Sequence, residues 1–273
     1  MMTSKEEIKQ YVQEQKSRNK DFFTQWLYDH GQRPALDIIQ VGHNPASDAY
    51  IRGKKKDGEE MGVNVRVIGF EETATTQEII NLLRLLNDDP SVQGIIVQLP
   101  LPKHMNSTLI TAAISPLKDV DGFTSASICT PCTPLGIVKW LESRGFPFSG
   151  ANALVIGRSE IVGKPMARLL LNHNCTVTVA HSRTPIESLR QHVAFSDLIV
   201  CAVGKPHLLT SEFYFKPDAW IVDVGINRVD GHLCGDCDPD LPVAVQTPVP
   251  GGVGLLTRLA LYENLRALME HVC

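Results

Sequence analysis

A two-domain α/β protein built on parallel sheets is the fold class this sequence predicts. Three observations carry that prediction. Short apolar runs alternate with helical periodicities along most of the chain. The run Ala153–Ile156 breaks at Gly157-Arg158-Ser159 and restarts as Met166–Leu171, just past Gly163-Lys164-Pro165. A strand, a glycine turn and a proline in the first helical turn present free backbone N–H groups and a positive dipole end to an anion. Finally, 273 residues are enough for two cores.

Composition narrows the field before any motif does. A net charge of −4 argues against general nucleic-acid or membrane binding, and 43% apolar residues is ordinary for a globular chain. No apolar run approaches the length of a membrane span. The first twenty residues are polar and mixed in charge, unlike a secretory signal, so a cytoplasmic protein with reduced thiols is expected. Two Cys-x-x-Cys pairs, Cys129/Cys132 and Cys234/Cys237, have the spacing of zinc ligands. They stand about a hundred residues apart, beyond a normal ligand loop, and no metal site is expected. Cys175 and Cys201 sit in apolar runs and read as core.

In chain order, residues 4–30 space Ile8, Tyr11, Val12, Phe22, Phe23 and Trp26 as an amphipathic helix. Ala35–Val41 reads as a strand, and Asn44-Pro45 as an N-cap and first helical residue opening a helix to Met61. On that helix Ser47, Tyr50 and Lys54 share a face. Val63–Phe70 is a second strand, Thr75-Thr76-Gln77-Glu78 a capping box, and Gly94–Leu99 a third strand running into Pro100. A helix near Ser107–Ile114 leads to Asp119-Val120-Asp121-Gly122-Phe123, and Leu135–Ser143 forms the crossing into the second domain. There the strands Ala153–Ile156, Thr176–Ala180, Leu198–Val203 and Ala219–Val224 make a compact Rossmann-like half. A glycine-proline loop, Thr247–Gly254, precedes a last helix, Leu255–His271, that returns to the first domain. The domains expected are residues 1–140 with 254–273, and residues 141–253.

Ligands of parallel α/β sheets bind at the carboxyl ends of the strands. Tyr50, Lys54, Gln98 and Asp121 each follow such an end and are expected to share one cleft. A lysine held in a half-buried cleft can exchange a proton near neutral pH, whereas Arg52, Lys55 and Lys56 beside it fit a solvated helix face. Asp121 fits a turn residue or a metal ligand, although few oxygens accompany it in sequence. In the second half, the strand ending at Ala180 is followed by His181-Ser182-Arg183-Thr184. A dinucleotide with a free 2′-hydroxyl ordinarily meets an acid there; donors such as Ser182 and Arg183 instead suit a 2′-phosphate, favouring NADP over NAD.

Seven segments then carry a resemblance. They are Ser47–Lys54, Val97–Pro102, Asp119–Phe123, Pro131–Pro134, Gly157-Arg158-Ser159 with Val162–Pro165, Asp223–Arg228, and Pro248–Gly254. In this order they resemble the bifunctional methylenetetrahydrofolate dehydrogenase/cyclohydrolase family, and the likeness runs from about Val41 to the end of the chain. The stretch between Phe123 and Pro131 is seven residues and lacks the family's asparagine- and glycine-containing loop.

The resemblance implies two linked reactions of one-carbon metabolism. Hydride passes from 5,10-methylenetetrahydrofolate to NADP, and water opens the resulting 5,10-methenyltetrahydrofolate to 10-formyltetrahydrofolate. It implies that Lys54 activates water and handles the proton, that Gln98 holds Lys54, that Tyr50 stacks on the folate and that Asp121 binds the pterin edge. Val97, Leu99 and the loop Pro250, Gly251, Gly252, Val253, Gly254 would line the folate site. Gly157, Arg158, Ser159, Ser182, Arg183 and Ile226 would hold the cofactor, and a homodimer is the family's assembly. The rival readings are a shikimate-type or amino-acid dehydrogenase, and a non-catalytic dinucleotide-binding protein.

Overall fold

The computed structural model describes residues 3–272. Two compact units divide the chain. One joins Gln13–Cys132 to the chain from Arg258 onward; the other joins Thr133–Thr257 to the start of the first helix, up to Val12.

In the first unit, β1 (Ala35–Val41) is the middle strand of a parallel sheet. It is flanked by β2 (Asn64–Phe70) and β3 (Gly94–Val97). Helix α1 (Ser4–His30) precedes it and α2 (Pro45–Met61) follows, started by Asn44, whose side-chain oxygen accepts from Ser47 N at 3.3 Å. Helix α3 (Thr76–Asp88) opens with the capping box Thr75/Glu78. Its Ile79, Leu83 and Leu86 pack with Ile39, Val41, Ile95 and Val97 from the sheet. The short α4 (Ser107–Ala112) takes its cap from Asn106. Strand β3 stops at Val97, two residues before the expected Leu99. Pro100 has no N–H and restricts the residue before it, so the ladder cannot continue.

In the second unit, α5 (Cys132–Ser143) leads to a five-stranded parallel sheet in the order β10-β7-β6-β4-β5. Its members are β4 (Asn152–Ile156), β5 (Thr176–Ala180), β6 (Leu198–Cys201), β7 (Trp220–Asp223) and β10 (Val245–Gln246). The chain leaves β4 for β5 on one side and returns to β6 on the other, so the sheet has its topological switch beside β4. Helices α6 (Gly163–Asn172) and α7 (Ile186–Phe195) join these strands. A hairpin of β8 (Asn227–Val229) and β9 (His232–Cys234) projects after β7. Cys175 and Cys201 are buried, as expected of core residues. Helix α8 (Val253–Val272) ends the chain, and the division between units falls within it.

Candidate active site

The carboxyl ends of β1 and β3 lie next to each other in the first unit's sheet, and the chain leaves them toward Lys54 and Gln98 respectively. Lys54 is 6% exposed although it belongs to a run of three lysines; Lys55 and Lys56 are exposed. Its Nζ donates to Gln98 Oε1 at 3.2 Å. Gln98 is oriented from its other end, where Nε2 donates to the Leu99 carbonyl at 2.8 Å, and its backbone N–H donates to Ile39 O at 2.9 Å. The amide therefore turns its oxygen to the lysine.

The helix that carries Lys54 is fixed by α8. A Cβ on Gly53 would lie 2.3 Å from Arg258 Nη1, and one on Gly58 would lie 2.4 Å from Val65 Cγ2 and 2.7 Å from the Tyr262 hydroxyl. These glycines let α8 approach closely enough for the Tyr262 hydroxyl to donate to the Lys54 carbonyl. Buried Asp57, one helical turn on, takes ion pairs from Lys16 at 2.6 Å and Arg258 at 2.7 Å. None of these partners was identified from sequence.

Asp121 follows an isolated parallel bridge between Ile95 and Asp119, which extends the sheet by one position. Asp119, fully buried, caps the turn: Oδ1 accepts from Gly122 N at 3.0 Å and Oδ2 from Thr124 N at 2.7 Å. Its carbonyl also accepts from Ser127 Oγ at 3.4 Å, so the short stretch after Phe123 folds back on the same residue. Gly122 is left-handed at φ +71°, and a Cβ there would sit 2.7 Å from Cys129 O. Burial pushes the Asp121 carboxyl above its usual range; the Lys54 charge opposes that rise and Asp119 adds to it. Burial likewise raises the Tyr50 phenol, which stays protonated. Lys54, buried, and Asp121, half-buried, are thus electrostatic neighbours, and Val97 is buried at the end of β3.

The second unit holds the glycine turn. Gly157 has φ +124° and its Cβ would fall 2.3 Å from Ala202 O, while a Cβ on Gly163 would meet Gly157 O at 2.4 Å. No side chain but hydrogen fits at either position. Ser159 shapes the loop by accepting from Val162 N and Gly163 N, each at 3.2 Å. Val162, the N-cap of α6, has no side-chain cap hydrogen bond, and the Arg158 guanidinium and Ser159 hydroxyl are exposed beside the helix start. That is the donor set and dipole end a pyrophosphate needs. After β5, the turn His181–Thr184 closes on itself, with His181 N donating to Thr184 Oγ1 at 3.0 Å, and leaves Ser182 and Arg183 exposed. A hydroxyl and a guanidinium are the donor types that suit a 2′-phosphate, and these four residues include no acid.

Two buried carboxylates that sequence spacing hid complete this unit. Asp236 accepts from Val203 N, Gly204 N, Lys205 N and Asn227 Nδ2, all within 3.0 Å. Asp223 accepts from Gly225 N, Asp236 N and Cys237 N, again within 3.0 Å. Together they tie the loop after β6 to the chain around Ile226, which is 54% exposed. Cys234 and Cys237 flank this acid, and Cys129 and Cys132 belong to the other unit. Among the described residues no group of three or more His, Cys, Asp or Glu is placed to hold a metal ion, and no helix is long and apolar enough to cross a membrane. The glycine-proline loop also lies in this unit: Gly251 has φ +98°, and a Cβ on Gly252 would meet Pro248 O at 2.4 Å.

Both halves of the chain match known proteins. Residues 2–121 match the catalytic domain of tetrahydrofolate dehydrogenase/cyclohydrolase, and residues 131–272 match its NAD(P)-binding domain. The bifunctional protein FolD of Campylobacter concisus is 46% identical over 252 residues, covering 87% of this chain and 88% of that protein. FolD 2 of Roseobacter denitrificans is 44% identical over 256 residues, covering 86% and 84%. The crystal structure of the Campylobacter jejuni bifunctional enzyme FolD superposes with a TM-score of 0.90 at 38% identity, over 96% of this chain and 97% of that one. The Trypanosoma brucei dehydrogenase-cyclohydrolase, solved with NADP cofactor and inhibitor, gives 0.91 at 29% identity over 96% and 95%. A shikimate 5-dehydrogenase from Thermus thermophilus reaches 0.51 at 17% identity over 87% of this chain and 98% of that one, a likeness of fold alone.

Proposed function

The chain belongs to the tetrahydrofolate dehydrogenase/cyclohydrolase family, and on that premise we propose which of its residues perform the work. It oxidises 5,10-methylenetetrahydrofolate to the 5,10-methenyl form with NADP and hydrolyses that form to 10-formyltetrahydrofolate. When bound, NADP supplies the acceptor for the hydride that leaves the bridging methylene. The remaining work falls to side chains.

Lys54 takes the proton from the water that attacks the methenyl carbon and returns it to solvent. The observation that carries this assignment is its buried Nζ, held at 3.2 Å by an amide oxygen. The amide oxygen fixes the direction in which the nitrogen points. Asp121 accepts from the N–H donors of the pterin edge, and Tyr50 offers its ring to the pterin face. Val97 and Leu99 complete the folate site in the first unit. Gly157, Arg158 and Ser159 seat the pyrophosphate of NADP, Ser182 and Arg183 its 2′-phosphate, and Ile226 packs on it. We place this enzyme in the cytoplasm as a homodimer supplying 10-formyltetrahydrofolate for purine biosynthesis. Support for the compartment comes from six unpaired cysteines among the described residues, and for the dimer from the family resemblance.

The test supplies methylenetetrahydrofolate with NADP or NAD and follows absorbance of the methenyl product and of reduced cofactor. Turnover with NADP is expected. Binding of folate or NADP without turnover on either cofactor would overturn the assignment.

A further inference from the structure

Asp121 sits on a loop, yet the reading above asks it to meet a rigid pterin edge in a fixed direction. We propose that Asn264, on α8, is the positioning residue that holds Asp121 in place for the folate. The inference rests on the assignment of Asp121 to the pterin.

Asn264 is 3% exposed and lies more than 130 positions along the chain from both segments it bonds. Its side-chain amide carries two hydrogens, and the geometry uses both. Nδ2 donates to the Val120 carbonyl at 2.9 Å and to the Thr130 carbonyl at 2.8 Å. One amide therefore stitches the segment before Asp121 to the segment before Cys132. The Asn264 carbonyl in turn lies 3.8 Å from the Cys129 thiol, and Nδ2 is 3.6 Å from Cys132 Sγ.

Cys132 completes the arrangement. Its thiol is 3.4 Å from the Val120 carbonyl and 3.8 Å from Asp121 Oδ1. Among the described residues, this long thiol contact is the only hydrogen bond to the Asp121 carboxylate. A thiol is a weak donor, so the carboxylate keeps its accepting capacity for a ligand. The peptide on one side of Asp121 is thus held by Asn264 through Val120, and that on the other by Asp119 through Gly122. The backbone is clamped on both flanks while the side chain stays available, which is how a rigid support directs a recognition group.

A positioning role predicts an effect on folate recognition that is separable from catalysis and from the cofactor. In the full-length enzyme, Asn264→Ala is expected to raise the KM for methylenetetrahydrofolate about tenfold, the scale of one or two lost hydrogen bonds. The kcat should fall by less than about threefold, with the KM for NADP unchanged. Asn264→Ser, which keeps one donor, should fall between the two enzymes. A folded Asn264→Ala enzyme with wild-type KM for folate overturns the proposal. So does one in which kcat alone falls. Should Asn264→Ala fail to fold, Cys132→Ala decides: a raised folate KM supports the arrangement and a wild-type value overturns it. Asp121→Ala is measured alongside. If it leaves the folate KM unchanged, the assignment of Asp121 itself fails, and the positioning role falls with it. If Asp121→Ala raises KM and the Asn264 variants do not, only the positioning role fails.

Discussion

Gln98 Oε1 faces Lys54 Nζ at 3.2 Å because the other end of the same amide is committed to the Leu99 carbonyl at 2.8 Å. Two different segments, α2 and the turn after β3, are joined by that one side chain. A flipped amide would set two donors against each other and break both contacts, so the orientation is self-enforcing.

Lys54→Met is expected to lower methenyltetrahydrofolate hydrolysis by about 10²–10⁴, the usual contribution of a positioned proton-transfer group. NADP affinity, measured by fluorescence titration, should stay at the wild-type value because the glycine turn lies in the other unit. Full retention of hydrolysis would remove Lys54 from the mechanism. Gln98→Leu should cause a smaller loss, about 10–100-fold, equivalent to one hydrogen bond to a charged group.

Gly157→Ala places a Cβ 2.3 Å from the Ala202 carbonyl in a backbone conformation, φ +124°, that L side chains rarely adopt. The turn must move to accept it. The KM for NADP is expected to rise at least about tenfold, the strain of one such residue being on the order of 1–3 kcal/mol. Hydrolysis of methenyltetrahydrofolate supplied directly, without NADP, should survive. Equal loss of both activities would mean the substitution unfolds the chain, which a circular dichroism melt would report.

Arg183 and Ser182 stand exposed where a ribose-binding acid is missing. Removing the guanidinium by Arg183→Ala should lower the NADP-over-NAD ratio of kcat/KM by about 10–100-fold, through the NADP value alone. An unchanged ratio would place the 2′-phosphate elsewhere.

Asp121 sets a pH dependence. Burial raises its folded pKa above the unfolded one, so its accepting, ionised form is lost on acidification sooner than that of a free carboxylate. The acid limb of kcat/KM for folate is therefore expected above the ordinary value of 3.8, and Asp121→Asn should flatten it. The sign for stability is the reverse of the usual salt-bridged aspartate. The ionised, half-buried carboxylate weakens the fold at neutral pH, and that penalty fades as pH falls through the raised pKa toward the unfolded one. Asp121→Asn should accordingly melt at a higher temperature than the wild type at pH 7 while binding folate less well. A lower melting temperature would show that the Lys54 attraction outweighs burial.

Much of this architecture is legible in the sequence because it is written locally. Strand β1, the Asn44-Pro45 start of α2 and the Thr75/Glu78 box each depend on residues within one turn of themselves. Helix α7 escapes because its N-cap position is Pro185 with no side-chain cap, and just Leu189 and Val193 are buried to mark a face. The two-residue β10 is too short to show a period. The hairpin of β8 and β9 does carry a signal, Asp230-Gly231, with both residues at positive φ. At the site, Lys54, Gln98 and Asp121 are readable as residues following strand ends. Their supports are not: Asn264 reaches Val120, the neighbour of Asp121, from 144 positions away, and Tyr262 reaches Lys54 from 208. Asp236 is hidden for a different reason: it lies within a Cys-x-x-Cys spacing, and the four donors it holds come from residues 9 to 33 positions away.

Helix α2 carries two glycines and a run of three lysines, so on its own it is a poor helix. The glycines that weaken it are the ones that let Arg258 and Tyr262 come close. The position of Lys54 therefore depends on α8. A peptide of residues 45–61 should be disordered in water, and a truncation before Arg258 should cost the enzyme its lysine while leaving that residue untouched. Removing Arg258 and Tyr262 would take away contacts that seat Lys54.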